Sequence, residues 1–478
     1  MPLLHHNHRL FLLRERRDGT DMAGLAEPLL YGKVDLLGDF AMLMLYDVDD
    51  NKAENIGDGD QKSTIDRISS THLTYQDFVE NYMRKNKPVI ITNLIKDSIG
   101  NTSTDIWGVR SSDWVDENKS YPNIQQIKLL FGNEMVPVHE QDKAGFTTVR
   151  PKVKEATVQQ YCDWWMKYHE KDSKEGWKHH QGQALEQSVH TNSSYEMESR
   201  ENEILYLKDW KFQQAFPEHS LYPCPTYFQN DWLNECTNGS YKFIYLGPKG
   251  SCTRFHVDVL CSFSWSTNIC GRKHWYMIPP QYTYLLFDCF GNLAAHLHQD
   301  TEEGEGGNNT FYPGLKLARL YAIEVVQDST ETIFVPSGWY HTVENMLPTL
   351  SVNHNWINEA NISWSWSKVS SEILSLHNSK PVRENETNST QRHSCSQIED
   401  DINLIWKMVS TKAIDTLRII RQRPHCNTES LILILQAITP VLKCIENMAR
   451  DGILSNFNLN IRHCDVVNLL HRINDAGL

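Results

Sequence analysis

Three residues of the chain could together bind a metal ion. His256 and Asp258 lie two residues apart in the segment 255–258. If this segment is a strand, both side chains point to the same face of a sheet and can offer an imidazole and a carboxylate to one ion. A third ligand must come from elsewhere, and His341 follows 85 residues after His256. The three residues therefore form a candidate metal site.

Two histidines and one carboxylate leave the other coordination positions of the ion open. This ligand set is the facial triad that binds iron in non-haem Fe(II) oxygenases. Catalytic zinc sites also use two histidines and a carboxylate, so the ligand set by itself favours iron only modestly. A single histidine on a strand is more often a hydrogen-bonded core residue than a ligand. The chemistry of the site therefore depends on the residues around it.

Lys273 is the second residue that bears on the chemistry. It lies 17 residues after His256, at the start of a later predicted strand. A buried lysine is unstable without an anionic partner, and a dicarboxylate cosubstrate would supply one. The hydroxyl of Thr253, three residues before His256, could bond to the same carboxylate. The alternative interpretation of Lys273 is an exposed strand lysine.

Short strands separated by glycine and proline turns surround these residues. The patterns of apolar residues and turns predict strands at 88–93, 135–139, 241–246, 255–260, 263–270, 273–278, 321–326, 332–335 and 349–354. Helices are predicted at 71–83, 124–131, 158–168, 400–421, 429–449 and 464–474. Many short strands with turn signals between them indicate a β-sandwich or a barrel.

Composition divides the chain into three parts. Residues 1–66 are interpreted as a disordered extension, since the stretch 47–60 is acidic, contains glycine and is typical of a solvated linker. Residues 67–365 are predicted to form the catalytic domain, with a polar, disordered insert at 169–202. Residues 366–478 are predicted to be a helical region that contains a polar linker at 378–397.

Charge, hydropathy and cysteine usage restrict the partners of the protein. The net charge is −14, from 46 basic and 60 acidic side chains, which argues against direct binding to nucleic acid. No uninterrupted apolar run reaches the roughly 18–20 residues that span a bilayer, so we expect no membrane partner. The 11 scattered cysteines fit reduced thiols better than a disulfide framework or a zinc ribbon. We therefore expect a cytoplasmic protein, with a nuclear location left open.

Longer blocks of the sequence resemble the jumonji-C family of 2-oxoglutarate- and Fe(II)-dependent oxygenases. The similarity extends from about Leu73 to Asn361. Its ordered blocks lie at 206–210, 227–235, 263–273, 334–341 and 350–356. The resemblance implies a mainly β fold with flanking helices in the α+β class, a double-stranded β-helix or cupin jelly roll.

The resemblance also implies how cofactors would be bound. His256, Asp258 and His341 would hold Fe(II), and Lys273 would pair with the distal carboxylate of 2-oxoglutarate. Oxygen would be the second cosubstrate, and ascorbate the reductant.

Further residues correspond to assisting positions of the family. Thr253 and Tyr206 match positions whose hydroxyls assist in related hydroxylases. Many family members carry an asparagine between the first histidine and the lysine, and this chain departs from that pattern with Ser266 at the nearest position. Asn353 and Asn355 lie on the strand after His341. One of the two should face the cosubstrate, and the parity of the strand does not decide which.

The activity implied by the resemblance is hydroxylation of a carbon in a protein side chain. The implied substrate is a lysine of the translation release factor, so the activity would support translation termination. One alternative is demethylation of a histone methyl-lysine, and another is a catalytically inactive cupin scaffold. An intact triad with Lys273 argues against the scaffold, because a scaffold needs none of these residues. The C-terminal helices are interpreted as a packing or dimer surface, which leaves a homodimer open.

Overall fold

Most of the segments that the sequence predicts to be ordered are described by the computed structural model. The described residues are 64–95, 107–118, 120–142, 152–178, 203–219, 221–288, 291–299, 312–378, 389–422 and 429–476. Nearly all of the predicted extension 1–66 lies outside them, as do residues 179–202 of the predicted insert and residues 379–388 of the predicted linker.

The strands of the described residues form two sheets. The strands are β1 (Asp66–Ser69), β2 (Val89–Thr92), β3 (Met135–Asp142), β4 (Lys152–Thr157), β5 (Glu203–Trp210), β6 (Lys242–Gly247), β7 (Cys252–His256), β8 (Phe263–Cys270), β9 (Lys273–Ile278), β10 (Ile323–Gln327), β11 (Thr332–Val335), β12 (Tyr340–Asn345) and β13 (Thr349–Trp356). The larger sheet has the order β1-β2-β11-β8-β13-β6-β5-β3-β4, and the smaller has the order β10-β9-β12-β7. All neighbouring strands are antiparallel except β1 and β2.

Helices flank the sheets on both sides of the strand-rich region. They are α1 (Tyr75–Phe78), α2 (Ile124–Phe131), α3 (Val158–Lys178), α4 (Phe212–Ala215), α5 (Trp232–Thr237), α6 (Leu315–Tyr321), α7 (Ile362–Asn378), α8 (Ser389–Gln422), α9 (Glu429–Arg450) and α10 (His463–Asn474). Thr74 caps α1, since its hydroxyl accepts the backbone N–H of Asp77. Two sheets with flanking helices confirm the predicted double-stranded β-helix and the α+β class.

The two sheets face each other across a shared interior. An apolar cluster between them joins Ile90 and Ile333 of the larger sheet to Trp275, Met277 and Val343 of the smaller sheet. Because the cluster takes residues from both sheets, it closes one part of the interior. The site residues occupy another part of the same interior.

Strands β8 and β13 each have one apolar face and one polar face. The apolar face packs against the N-terminal helices through Phe263, Trp265, Val352 and Trp356. The other face carries Ser264, Ser266, Ser351, Asn353 and Asn355. Directly opposite residues of an antiparallel pair share a face, and Asn353 lies opposite Ser266 while Asn355 lies opposite Ser264. The larger sheet therefore lines the interior with a polar wall.

The two strands that carry candidate metal ligands differ from the prediction. The predicted strand 255–260 ends at His256, and a 3₁₀ turn at Val259–Cys261 follows, in which Leu260 and Cys261 adopt positive φ angles of 54° and 51°. The strand β12, which carries His341, was not predicted, since its apolar residues are too few for a clear alternation. Its strand geometry comes from pairing with β7 and β9 on either side.

Three segments are more ordered than composition predicts. The first strand begins at Asp66, inside the predicted extension. Helix α3 continues to Lys178, so the first ten residues of the predicted insert 169–202 are helical. Helix α8 begins at Ser389, inside the predicted linker 378–397. A polar composition does not exclude a helix, because lysine and glutamate are good helix formers. The division into three parts otherwise stays a prediction.

Helix α9 is long and apolar enough to cross a membrane, by length and composition alone. Its apolar face is buried against the other C-terminal helices. The buried residues of this face are Leu435, Ile438, Val441, Leu442, Cys444, Ile445 and Met448. The helix therefore packs on one face, while part of its surface, including Leu433, stays exposed.

Gly271 lies in the turn between β8 and β9, where the backbone passes close to Pro348. Its φ is +85°, and a Cβ there would lie 2.3 Å from the carbonyl oxygen of Pro348. We expect Gly271→Ala to lower the free energy of unfolding by about 2–5 kcal/mol, from left-handed strain and overpacking together. Gly291 is the control, because its φ is +82° and no described atom lies within 4 Å of its Cβ position. Equal losses in urea unfolding of the two variants would contradict the packing argument.

Candidate metal centre and cosubstrate pocket

The fold brings the three predicted metal ligands into one cluster. Strands β7 and β12 are antiparallel neighbours, and His256 lies directly opposite His341. The centroids of the two imidazole rings are 4.2 Å apart. One ligand atom from each of His256, Asp258 and His341 lies within 4.8 Å of the other two. The cluster can therefore offer two nitrogen ligands and one oxygen ligand to a single ion.

Backbone hydrogen bonds set the tautomers of both histidines. Nδ1–H of His256 donates to the carbonyl oxygen of Arg254 at 2.8 Å, and Nδ1–H of His341 donates to that of Trp339 at 3.0 Å. A carbonyl oxygen can only accept, so Nδ1 carries the hydrogen and Nε2 keeps its lone pair for a metal. Burial lowers the pKa of His256, and the nearby His341 lowers that pKa further. His256 is therefore neutral, as a metal ligand must be.

Asp258 reaches the cluster by a turn and not by strand alternation. Strand β7 ends at His256, and Asp258 precedes a single 3₁₀ turn, Val259–Cys261. The hydroxyl of Ser264 on β8 donates to Oδ2 of Asp258 at 2.6 Å and orients the carboxylate. His256 and Asp258 do converge, as predicted. The predicted reason, that both lie on one face of a strand, is wrong.

A β-bulge explains how Thr253 and His256 can share one face. On β7 these residues are three apart, and a regular strand would point them to opposite faces. Their partners on β12, Val343 and His341, are only two apart, with a register shift between them. The extra residue on β7 restores the common face. This pairing places Thr253 on the same side of β7 as His256, and its backbone carbonyl oxygen accepts the hydroxyl of Thr342 at 2.9 Å.

Lys273 is buried, with only 2% of its surface exposed. Its Nζ donates to Oγ of Ser351 at 2.6 Å and lies 5.8 Å from the ring centroid of Tyr245. Within the described part of the chain, no carboxylate pairs with this ammonium. Burial lowers the pKa of Lys273 to about 7, and repulsion by Lys208 adds to the effect. The alternative of an exposed strand lysine is therefore wrong, and the pocket lacks an anion that a dicarboxylate would supply.

The structure distinguishes the two asparagines of β13. Nδ2 of Asn353 donates to Oγ of Ser351 at 3.1 Å, so Asn353 joins the hydrogen-bond group of Lys273. Nδ2 of Asn355 instead donates to Oγ of Ser262 at 3.2 Å, at the end of the Asp258 turn. Since the oxygen of Ser351 accepts two hydrogen bonds, its own hydrogen can be donated to a ligand carboxylate. We therefore assign Asn353, and not Asn355, to the pocket of Lys273.

Ser266 and Tyr206 complete the set of predicted residues. Oγ of Ser266 is buried and has no hydrogen-bond partner among the described residues, and Ser266 lies opposite Asn353 on the polar wall. Tyr206 on β5 is also buried, and its ring packs edge-on against Tyr245 with 6.1 Å between centroids. Burial raises the pKa of Tyr206, so its hydroxyl stays protonated. Both hydroxyls remain suited to bind a polar ligand in the interior.

Sequence reasoning missed a group of charged and aromatic residues beside Lys273. The ring of Tyr245 lies close to two ammonium groups, since Nζ of Lys208 is 5.6 Å and Nζ of Lys273 is 5.8 Å from its centroid. The hydroxyl of Tyr245 donates to Oδ1 of Asp209 at 2.7 Å. Asp209 has a φ of +64° in a bulge of β5, so the regular alternation that would have revealed the group is interrupted. Burial alone would raise the pKa of Asp209, but Lys208, His139 and Tyr245 together hold it below its usual range.

The residues present fit both an iron ion and 2-oxoglutarate. Two neutral imidazoles and one oriented carboxylate form a facial ligand set with open positions. The unpaired buried ammonium of Lys273 and the unpartnered hydroxyl of Ser266 fit a polar, anionic ligand in the same interior.

Comparisons with known proteins agree with this geometry. The family described as "JmjC domain, hydroxylase" matches residues 243–356, from β6 to the end of β13. This segment contains the three candidate ligands together with Lys273.

Three relatives share about a third of their aligned residues with the chain. "Arginine-specific demethylase JMJ20" of Arabidopsis thaliana is 34% identical over 322 residues, which cover 63% of this chain and 59% of that protein. "2-oxoglutarate and iron-dependent oxygenase JMJD4" of Gallus gallus is 34% identical over 316 residues, covering 65% and 64%. The "2-oxoglutarate and iron-dependent oxygenase JMJD4 homolog" of Drosophila melanogaster is 34% identical over 324 residues, covering 66% and 69%.

The chain therefore spans less than two thirds of the plant and chicken proteins and slightly more than two thirds of the fly protein. The segment matched by the family holds the three candidate metal ligands and Lys273, whereas Tyr206 lies before it. From the fold, the site and the similarity to the fly protein, the chain belongs to the JmjC-domain family of 2-oxoglutarate and iron-dependent oxygenases.

Proposed function

We propose that the protein is a 2-oxoglutarate- and Fe(II)-dependent hydroxylase that acts on a lysine of the translation release factor and so supports translation termination. The main support for the oxygenase activity is that the metal cluster and the buried Lys273 lie in the same interior of the fold. A metal site of the zinc-hydrolase type needs no buried ammonium for a cosubstrate. The names of the chicken and fly relatives, which include both iron and 2-oxoglutarate, support the same choice of metal.

The chain's own residues would bind and orient the reactants. His256, Asp258 and His341 would hold the metal on one side and leave its other side open to ligands. Lys273 would bind the distal carboxylate of 2-oxoglutarate, and the hydroxyl of Ser351 would donate to the same group. Bound iron, 2-oxoglutarate and oxygen would supply the oxidising power that converts a C–H bond to an alcohol, with succinate and carbon dioxide as coproducts.

The substrate part of the proposal rests on the long sequence blocks, which resemble a lysyl hydroxylase of the release factor. The test is mass spectrometry of release factor incubated with the protein, Fe(II), 2-oxoglutarate, oxygen and ascorbate. We expect a mass gain of one oxygen on a lysine, and no gain with Asp258→Ala protein or without 2-oxoglutarate. An unmodified release factor, under conditions in which the wild-type protein produces succinate, would contradict the substrate.

Arginine demethylation is a second candidate, favoured by the name of the plant relative at 34% identity. Methylated arginine and lysine peptides, including histone peptides, should be tested in the same assay. Loss of a methyl group with release of formaldehyde would support a demethylase. Absence of turnover with every substrate, together with absence of metal binding, would support the inactive scaffold.

The state of Lys273 predicts a proton exchange that accompanies cosubstrate binding. Its pKa is lowered to about 7 in the protein without ligand, so at pH 8 the amine is largely neutral. A carboxylate at hydrogen-bond distance raises that pKa, so binding should take up close to one proton at pH 8 and much less at pH 6. Titration calorimetry in two buffers of different ionisation enthalpy measures this uptake. Lys273→Met should abolish it, and an equal uptake in that variant would contradict the assignment.

Location and assembly are also proposals. We propose a cytoplasmic protein, with a nuclear pool left open, that forms a homodimer through the C-terminal helices. Ile414, Ile419 and Leu433 are large apolar side chains exposed on α8 and α9, which supports the dimer. Light scattering of the purified protein tests it, and a monomer at high concentration would contradict it.

A further inference from the structure

We propose that helix α7 positions two of the three metal ligands, through Leu260 on the Asp258 turn and Trp364 beneath the His341 turn. The inference rests on the metal site of the proposed function. Neither residue contacts a reactant, so both would be positioning residues. The consequence would be that the C-terminal helical region is part of the metal-binding unit and not an accessory to it.

The turn that follows Asp258 has a strained backbone. Leu260 (φ 54°, ψ 21°) and Cys261 (φ 51°) are consecutive non-glycine residues in the left-handed region. Such residues persist only where surrounding structure enforces their conformation. The turn is closed by a hydrogen bond from the backbone N–H of Cys261 to the carbonyl oxygen of Asp258, at 2.9 Å. The backbone of a metal ligand is therefore part of the strained turn.

Packing of Leu260 against the C-terminal region can enforce this conformation. Its side chain is 1% exposed and belongs to the apolar cluster of the C-terminal helices, not to a cluster of the sheets. The residues of this cluster nearest in sequence to the start of α7 are Ile357, Ile362, Trp366 and Val369. Helix α7 contacts the turn directly. The position of the Asp258 carboxylate thus depends on a side chain that α7 holds.

The turn before His341 meets the same helix. Gly338 has a φ of +77°, and a Cβ there would lie 2.7 Å from Cζ3 of Trp364 on α7, so the indole rests against the glycine backbone. The next residue, Trp339, provides the carbonyl oxygen that fixes Nδ1 of His341. Just before α7, Nδ2 of Asn361 donates to Oγ of Ser337 at 3.3 Å. The start of α7 is therefore in contact with both turns that flank ligand positions.

The two contacts together control the distance between the carboxylate and the second imidazole. Asp258 and His341 lie in separate parts of the chain, and the structure gives both of their turns a common support in α7. Changes next to metal ligands typically cost 10–100-fold in metal affinity, because the ligands lose their preset geometry. We expect losses of metal affinity in that range when the contact with α7 is removed and the three ligands are left unchanged.

The test compares two equally buried leucines of the same apolar cluster. Leu260→Ala removes the support of the Asp258 turn, whereas Leu435→Ala removes an equally buried side chain of α9. Anaerobic titration with Fe(II), and with Mn(II) as a redox-stable probe, measures the metal affinity. Thermal unfolding of the metal-free proteins measures their stability. We expect both variants to lose stability, and Leu260→Ala alone to bind both ions about 10–100-fold more weakly.

A second variant keeps the proposal testable if Leu260→Ala does not fold. Trp364→Leu changes a partly buried residue on the other turn and should also weaken metal binding without touching a ligand. Wild-type affinity in the folded variants, or an equal loss in Leu435→Ala, would overturn the positioning role alone. A wild-type protein that binds neither ion would overturn the proposed function, and this inference with it, so the two failures are distinguishable.

Discussion

Asp258→Ala should abolish iron-dependent turnover while leaving the fold largely intact. The carboxylate is the single oxygen ligand of the cluster, and a methyl group cannot replace it. The two remaining histidines should hold Fe(II) weakly, so we expect an affinity loss of more than about 100-fold, beyond the range for changes outside the ligands. The hydroxyl of Ser264 loses its acceptor, which should cost only about 1 kcal/mol of stability.

The measurement for this variant is succinate formation at subsaturating iron, together with urea unfolding of the metal-free protein. Asp328→Ala is the matched control, since that carboxylate is 51% exposed and pairs with Arg272 on the surface. The control should keep wild-type turnover. Undiminished activity of Asp258→Ala at low iron would refute the assignment of the metal ligands.

Lys273→Ala should weaken 2-oxoglutarate binding far more than iron binding. The metal ligands do not contact Lys273 in the structure, so the iron site should survive. The distal carboxylate would, however, enter a buried pocket without its counter-charge. The loss of a buried, charge-assisted hydrogen bond costs on the order of 2–4 kcal/mol, which corresponds to a roughly 30- to 800-fold increase in Kd.

Titration of 2-oxoglutarate into the iron-loaded variant under nitrogen separates the two affinities. Lys87→Ala is the control, because that lysine is 48% exposed and pairs with Asp66 on the surface. Lys273→Arg should rescue binding only in part, since its planar head must replace an ammonium held between Ser351 and the ring of Tyr245. If Lys273→Ala binds 2-oxoglutarate as tightly as the wild type, the cosubstrate pocket lies elsewhere.

Local sequence was sufficient to set the bounds of three strands. The bounds of β8, β9 and β11 agree with their prediction, because their residue types and turns are visible within a few positions. The types and order of the candidate ligands were also visible, since an imidazole, a carboxylate and a later lysine can be recognised without coordinates. Composition was a weaker guide, and it missed the helical starts of the predicted insert and linker.

Tertiary structure decided how those residues converge. The bulge that turns Thr253 and His256 to one face depends on the pairing of β7 with β12, two strands far apart in sequence. Asp258 directly precedes a turn in which Leu260 and Cys261 have positive φ angles, and no local pattern predicts two such residues in succession. Long-range packing can enforce a backbone conformation that local preferences disfavour. Such a conformation cannot be predicted from one segment of sequence alone.

The choice between Asn353 and Asn355 is the clearest case that sequence alone could not decide. Both residues point to the inner face, because they are two apart on β13, so strand parity treats them alike. Ser351 beside Lys273 engages the first, and Ser262 at the end of the Asp258 turn engages the second. Their different surroundings come from β9 and from the turn after β7. The sequence thus determined which side chains line the interior, and the three-dimensional contacts determined what each can bind, because hydrogen bonds depend on neighbours that are distant along the chain.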